Sequence, residues 1–251
     1  MVKVGCCGFP GGMRRYFKRF SLVEVQSTFY NLPRADTAKK WKSNAGENFE
    51  FTVKAWQAIT HPPTSPTWRR GRVNVSPETV MHYGFFNSTN EVFEAWTRTQ
   101  EICAILEANI CVVQCPASFT ATEENIRNMR SFFSRIDRNG LSIAWEPRGA
   151  SWTHEKVRLL CEDLNLIHCV DPFAREPTAF SSNGIVYFRL HGCPPGWKMY
   201  NYQYTDEDLK WLKEKCEGLE AAGLKAYILF NNIYMEEDAE RMIFLTRTGQ
   251  I

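Results

Sequence analysis

Eight short apolar runs alternate along the chain with stretches of helical periodicity, and this alternation restricts the fold more than any other feature. The runs are Val2–Cys7, Leu22–Gln26, Phe49–Ala55, Ile110–Cys115, Leu141–Glu146, Ile167–Asp171, Ile185–Leu190 and Ala226–Asn231. Helical stretches lie between most of them: Ala35–Ser43, Thr89–Glu107, Thr122–Ile136, Thr153–Asn165 and, last, Met235–Leu245. Another opens on a Thr205/Asp208 capping box and closes at Gly223. Strands separated by helices pair in parallel through right-handed crossovers. Eight of them in 251 residues predict one α/β domain over residues 1–251, a (β/α)8 barrel of the TIM type.

A doubly wound open sheet is the competing arrangement, but "GCCGFPGG" after the first run lacks the spacing of a nucleotide fingerprint. The stretch from Asp171 to Ile185 is too short and proline-rich for a full helix, so the unit after strand six is predicted to be degenerate. Long loops are predicted after strand three (Trp56–Asn87) and strand seven (Gly192–Tyr204), on the side where barrels carry their active sites.

Other features restrict the class of protein. At 44% hydrophobic residues the chain can bury a sizeable core, and a net charge of +2 gives no global field for nucleic acid or membrane. The nine cysteines include no CxxC pair, so zinc-finger and thioredoxin spacings are missing. No signal peptide opens the sequence and no run reaches the length of a membrane span. These features predict a reduced, soluble, cytoplasmic protein with no membrane partner. They leave its oligomeric state open.

The strand ends carry the functional signal. In "VYFRLHGC", Val186, Phe188 and Leu190 alternate with Tyr187, Arg189 and His191, so the polar face ends in a cation and an imidazole. Other strands end similarly. Glu24 and Gln26 share a face, as do Thr52 and Lys54, while Gln114, Glu146, Asp171 and Asn231 end later strands. In a barrel these ends converge on one rim, which predicts a site there. Glu24, Glu146, His191 and Asp171 are the predicted acid–base residues. Lys54, Gln114, Arg148, Arg189 and Asn231 are the predicted substrate-binding residues. The bland alternative is a buried ion-pair network that merely keeps the barrel mouth satisfied.

Glu24, Glu146, Asp171 and His191 also form an oxygen-plus-imidazole set suited to a divalent metal. The nearby cations Lys54, Arg148 and Arg189 argue against it, so no cofactor is predicted. His61, in "ITHPPT", belongs either to a lid or to ordinary loop structure. Two loops interleave basic and aromatic residues: Trp68, Arg69, Arg70 and Arg72, then Trp197, Lys198, Tyr200, Tyr202 and Tyr204. Such a mixture can stack bases and clamp phosphates, and Tyr204 is added to the substrate-binding set. The alternative is a solvated basic lid and a self-packed tyrosine loop.

Several motifs are familiar in order: "VEVQSTFYNLP", "FTVKA" followed by "ITH", "VVQCPASF", "WEPRGASW", "VYFRLHG" and "YILFNN". By these the chain resembles the YecE-like family, a domain of unknown function, from end to end. The resemblance implies a TIM-type barrel and no established activity. Glu24, Lys54, Gln114, Glu146, Arg148, Asp171, Arg189, His191 and Asn231 match its pattern. Cys6–Cys7, Gln26, Cys115 and Gly149 depart from it, and the first departure puts any hydroxyl role at that strand end in doubt. Barrels of this family look similar in shape to sugar isomerases and abasic-site endonucleases, a likeness of fold. The expected function is an enzyme acting on a polar, anionic small molecule such as a phosphorylated sugar. The alternative is a nucleic-acid-binding or phosphodiester-processing protein that uses the basic and aromatic loops.

Overall fold

In the computed structural model, which describes residues 1–71, 75–194, 196 and 198–249, eight parallel strands close into a barrel. They are β1 (Val2–Cys7), β2 (Leu22–Val25), β3 (Glu50–Lys54), β4 (Ile110–Gln114), β5 (Ser142–Glu146), β6 (Ile167–Val170), β7 (Ile185–Leu190) and β8 (Lys225–Phe230). Each strand pairs with the next in sequence, and β8 returns to β1. Around them run α1 (Met13–Tyr16), α2 (Ala35–Ala45), α3 (Asn90–Ile105), α4 (Glu123–Arg135), α5 (His154–Leu164), α6 (Asp206–Ala221) and α7 (Met235–Thr248). The closed barrel predicted from the alternation is the observed fold, and among the described residues the β6–β7 connection carries no helix.

Four of the helices begin where side chains can satisfy the free amides of their first turns. Thr89, Thr122 and Thr153 each accept a backbone N–H at the start of α3, α4 and α5. Thr205 and Asp208 form the reciprocal capping box of α6. The four-residue α1 has no counterpart in the sequence reading because one turn is too short to show a helical period. Its Tyr16 nevertheless ties two strands together. The hydroxyl accepts from the Cys6 amide at 2.8 Å and donates to the Leu22 carbonyl at 2.7 Å.

Period-two alternation splits every strand but β3 between two cores. One large cluster packs the outer strand faces against the helices, with Phe51, Trp145, Phe188 and Phe230 among its members. A second, smaller cluster fills the barrel interior with Ile110, Val112, Ala144, Ile167, Cys169, Tyr187 and Leu229. The next inward positions toward the carboxyl ends are polar, which places Glu24, Lys54, Gln114, Glu146 and Arg189 above that apolar plug.

Several strands stop one residue earlier than the apolar runs suggest. Gln26, Cys115, Asp171 and Asn231 each lie one position past the last ladder residue. At Asp171 the cause is local. Its carboxylate accepts the Phe173 amide at 3.0 Å and turns the chain away from the sheet.

Candidate active site

Arg189 sits at the centre of the barrel mouth with 1% of its surface exposed. Its Nε and Nη2 each donate to a different oxygen of Glu24 at 3.0 Å, and its Nη1 donates to Glu146. Glu24 is completely buried and also accepts the Tyr187 hydroxyl at 3.0 Å, which lies 2.7 Å from Thr52 Oγ1. The odd-looking polar face of β7 therefore points inward. Its guanidinium is thereby shared between two carboxylates.

The remaining groups divide between two sides of this centre. On one side, Arg148 pairs with Glu146 and its Nη2 lies 2.9 Å from His191 Nε2. Guanidinium nitrogens only donate, so Nε2 accepts and the imidazole carries its proton on Nδ1. That nitrogen lies 3.5 Å from Asp171 Oδ2, while the same carboxylate oxygen accepts the His191 amide at 2.8 Å. Burial lowers the His191 pKa below its ordinary value, in keeping with a neutral ring. On the other side, Lys54 Nζ donates to Gln114 Oε1 at 2.7 Å and stands 4.1 Å from the centre of the Phe29 ring. Gln26 and Asn231 join across the mouth at 3.3 Å, Nε2 to Oδ1.

Burial opposes the charge of Glu146, but Arg148 and then Arg189 more than offset it. They hold its carboxyl well below the usual range, so at neutral pH Glu146 is an acceptor with no proton to give. Lys54 moves the other way. Burial first, and then the like charge of Arg189, bring it down to about 8. The neutral His191 beside Asp171 is thus a proton acceptor, while Lys54, at about 8, is the group poised to exchange a proton near neutral pH.

A pocket of about 150 Å³ opens at the ends of β5, β6 and β7, lined by Glu146, Arg148, His168, Asp171, Arg175 and His191. Arg148 Nε is buried there without a hydrogen-bond partner. Arg148 and Arg175 give the lining of this pocket two cations. A larger cavity, about 710 Å³, lies at the opposite, amino-terminal end near Lys3, Glu50 and Arg247. It is remote from every strand-end residue singled out above.

Tyr204 stands apart from the other predicted ligand residues. It is buried, its hydroxyl accepts the Gly192 amide at 2.8 Å, and it packs edge-on against Phe230. It shapes the loop after β7 from below. Tyr202 is turned to Asp208, whereas Tyr200 is 40% exposed and lies edge-on to His191 with ring centres 5.7 Å apart. Trp68 is buried on the His61 carbonyl, and Arg70 lies over the Tyr30 ring. Arg72 and Trp197 lie outside the described residues. His61 is buried with Nδ1 on Thr60 Oγ1 and its ring against Phe29, so it belongs to the packed base of its loop.

Some contributors were not legible in the strand ends. Phe29 supplies the ring under Lys54 from the "STFY" run, and Arg175 enters from the proline-rich β6–β7 connection. A period-two pattern does not report loop residues. Among the described residues, no group of three or more His, Cys, Asp or Glu side chains is arranged to hold a metal ion. Of the four oxygen and imidazole donors considered for a metal, Glu24 and Glu146 are engaged by guanidinium groups.

Residues 10–246 match the family model described as "Protein of unknown function DUF72". The chain belongs to the DUF72 family. It is similar to the UPF0759 protein YunF of Bacillus subtilis (strain 168), 25% identical over 246 residues, covering 88% of this chain and 80% of that protein. A DUF72 protein from Enterococcus faecalis V583 has a crystal structure with TM-score 0.73 at 21% identity, over 99% of this chain and 97% of that one. Outside the family, a xylose isomerase domain containing protein from Salmonella typhimurium LT2 gives TM-score 0.61 at 13% identity, over 98% and 97% of the two chains. These identities establish a shared TIM-like barrel and no shared chemistry. Among the described residues, no helix of this DUF72 protein is long and apolar enough to cross a membrane.

Proposed function

We propose that this DUF72 protein is an enzyme acting on a small anionic, sugar-like molecule held at the carboxyl rim of its barrel. The observation that carries this reading is Arg148, whose buried Nε lacks a partner at the edge of the pocket. A buried donor left unmade costs about 1–3 kcal/mol, and an anionic oxygen in the pocket would relieve that cost. Arg175 and the neutral His191 line the same space. The pocket holds about five water volumes, taking about 30 Å³ for each, which suits a phosphate or carboxylate group. The rest of the substrate would extend over the mouth toward Lys54, Gln114, Gln26 and Asn231. His191, oriented by Asp171, is the acid–base residue, while Arg189 fixes Glu24 and Glu146.

The fold resemblance to a xylose isomerase domain protein supports a sugar-like substrate by analogy only. A thermal-shift comparison of phosphorylated sugars with their parent sugars tests the reading. Stabilisation by the phosphorylated forms alone, lost in Arg148→Ala, is the expected result. Exposed Tyr200 beside the mouth and the exposed Arg69 of the β3 loop favour oligonucleotide binding as a second reading. Tight oligonucleotide binding that falls steeply with salt, with no response to sugar phosphates, would establish that one instead.

A further inference from the structure

We infer that Lys54 is an imine-forming residue, so that the substrate carries an aldehyde or ketone as well as its anionic group. This deepens the function proposed above and rests on the rim being the substrate site. Among the described residues, Lys54 is the one lysine that is buried, with 6% of its surface exposed. No carboxylate of the described residues lies within 4.0 Å of its Nζ, because Glu24 and Glu146 are taken by Arg189 and Arg148. The amine is left with a neutral amide oxygen at 2.7 Å, an aromatic face at 4.1 Å, and the like charge of Arg189 nearby. A lysine desolvated beside another cation is the environment that turns an ammonium into a nucleophilic amine. Glu24, Glu146 and Cys7 act in the opposite sense on Nζ, but burial and Arg189 prevail and leave it at about 8. At pH 7 its neutral fraction is then on the order of a hundred times that of an exposed lysine.

The position fits as well. Lys54 ends β3, Gln114 ends β4, and Glu146, paired in register with Gln114, forms the wall of the anion pocket. Two strand spacings, about 10 Å, separate the amine's strand from that wall. A lysine stem and a short phosphorylated carbon chain together bridge that span. In the reaction, the Nζ lone pair attacks the carbonyl carbon and forms a C–N bond. The carbonyl oxygen leaves as water with the two amine protons, giving C=N, and the imine takes up one proton from solvent. No oxidant or reductant is required.

The test is reductive trapping of the wild-type protein with D-erythrose 4-phosphate and cyanoborohydride at pH 7, followed by peptide mapping. The expected result is a reduced adduct at Lys54 that forms at least about tenfold faster than at any exposed lysine and saturates with probe concentration. Labelling of Lys54 no faster than of exposed lysines would overturn the inference, and mapping the wild-type chain needs no variant to fold. Erythritol 4-phosphate, which has the anion without the carbonyl, separates the two readings in a melting experiment. If it stabilises the protein while Lys54 stays unlabelled, the imine alone is refuted. Rapid Lys54 labelling with no stabilisation by erythritol 4-phosphate upholds the imine and refutes the anion pocket.

Discussion

Arg189 grips Glu24 through two parallel contacts of 3.0 Å, Nε to Oε2 and Nη2 to Oε1, reaching from β7 to β2 across the interior of the barrel. A fork-to-fork pair with both partners buried fixes geometry as well as charge. Its removal is therefore unequal in effect on the two carboxylates. In Arg189→Met, Glu146 retains Arg148, whereas Glu24 is left with only the Tyr187 hydroxyl among its described side-chain partners. The variant is expected to lose about 3–5 kcal/mol in urea unfolding at pH 7, and adding Glu24→Gln should recover more than adding Glu146→Gln. A loss below about 1 kcal/mol would show that the pair contributes little.

Tyr187→Phe probes the same network from below. The hydroxyl accepts from Thr52 and donates to Glu24, and all three residues are buried without exposure. Deleting it leaves a buried carboxylate one donor short without opening a cavity, since the ring remains. A loss of about 1–3 kcal/mol is expected from denaturant titration, with little change in slope. An unchanged midpoint would mean that Glu24 is satisfied by Arg189 alone.

The barrel and its rim were legible because one period-two pattern recurs in every strand. Glu24, Lys54, Gln114, Glu146 and Arg189 are alternate residues of apolar runs, and closure of the sheet brings alternate residues to one interior. What the pattern did not carry was how the charges pair. Arg189 and Arg148 both lie at or just past the carboxyl end of a strand. Yet Arg189 is sealed between Glu24 and Glu146, while Arg148 keeps a free donor at the pocket. The strand period reaches Arg189, which lies within β7, and does not reach Arg148, which stands in the loop two residues past the end of β5. Tyr204 shows the same limit. Its tyrosine-rich surroundings suggested a ligand platform, but Phe230 and the Gly192 amide draw it into the core.

Gly192 marks where β7 must turn into its loop, and its backbone permits no side chain. It adopts φ of +116°, and an added Cβ would stand 1.8 Å from the Met199 carbonyl oxygen. Gly192→Ala must displace the segment that holds Tyr200 against His191. The variant is expected to fold with a lower melting temperature and to lose the response to sugar phosphates. A retained response would show that the loop does not shape the site.

Acid should destabilise the protein from near neutrality downward because three buried histidines are held neutral. Burial lowers His61 to about 3 and His168 to about 4, and it lowers His191 below its ordinary value as well. In the unfolded chain each ring takes up a proton near pH 6.5, while the folded rings do not. The unfolded state then binds more protons, so stability falls as pH falls from about 6.5, and for His168 the loss continues until about 4. The slope is up to about 1.4 kcal/mol per pH unit for each histidine that stays neutral. Glu146 adds to the loss below about 4.5, where the unfolded carboxyl becomes protonated before the folded one does. The measurement is the urea midpoint at intervals from pH 7.5 to pH 4.5, repeated for His168→Gln. That substitution keeps an acceptor for the Thr178 amide, which now donates to Nδ1 at 3.1 Å, but has no proton to gain. It should flatten the profile between pH 6.5 and 4.5 by up to one proton's worth of slope. An unchanged profile would mean that His168 takes up its proton in the folded barrel as readily as in the unfolded chain.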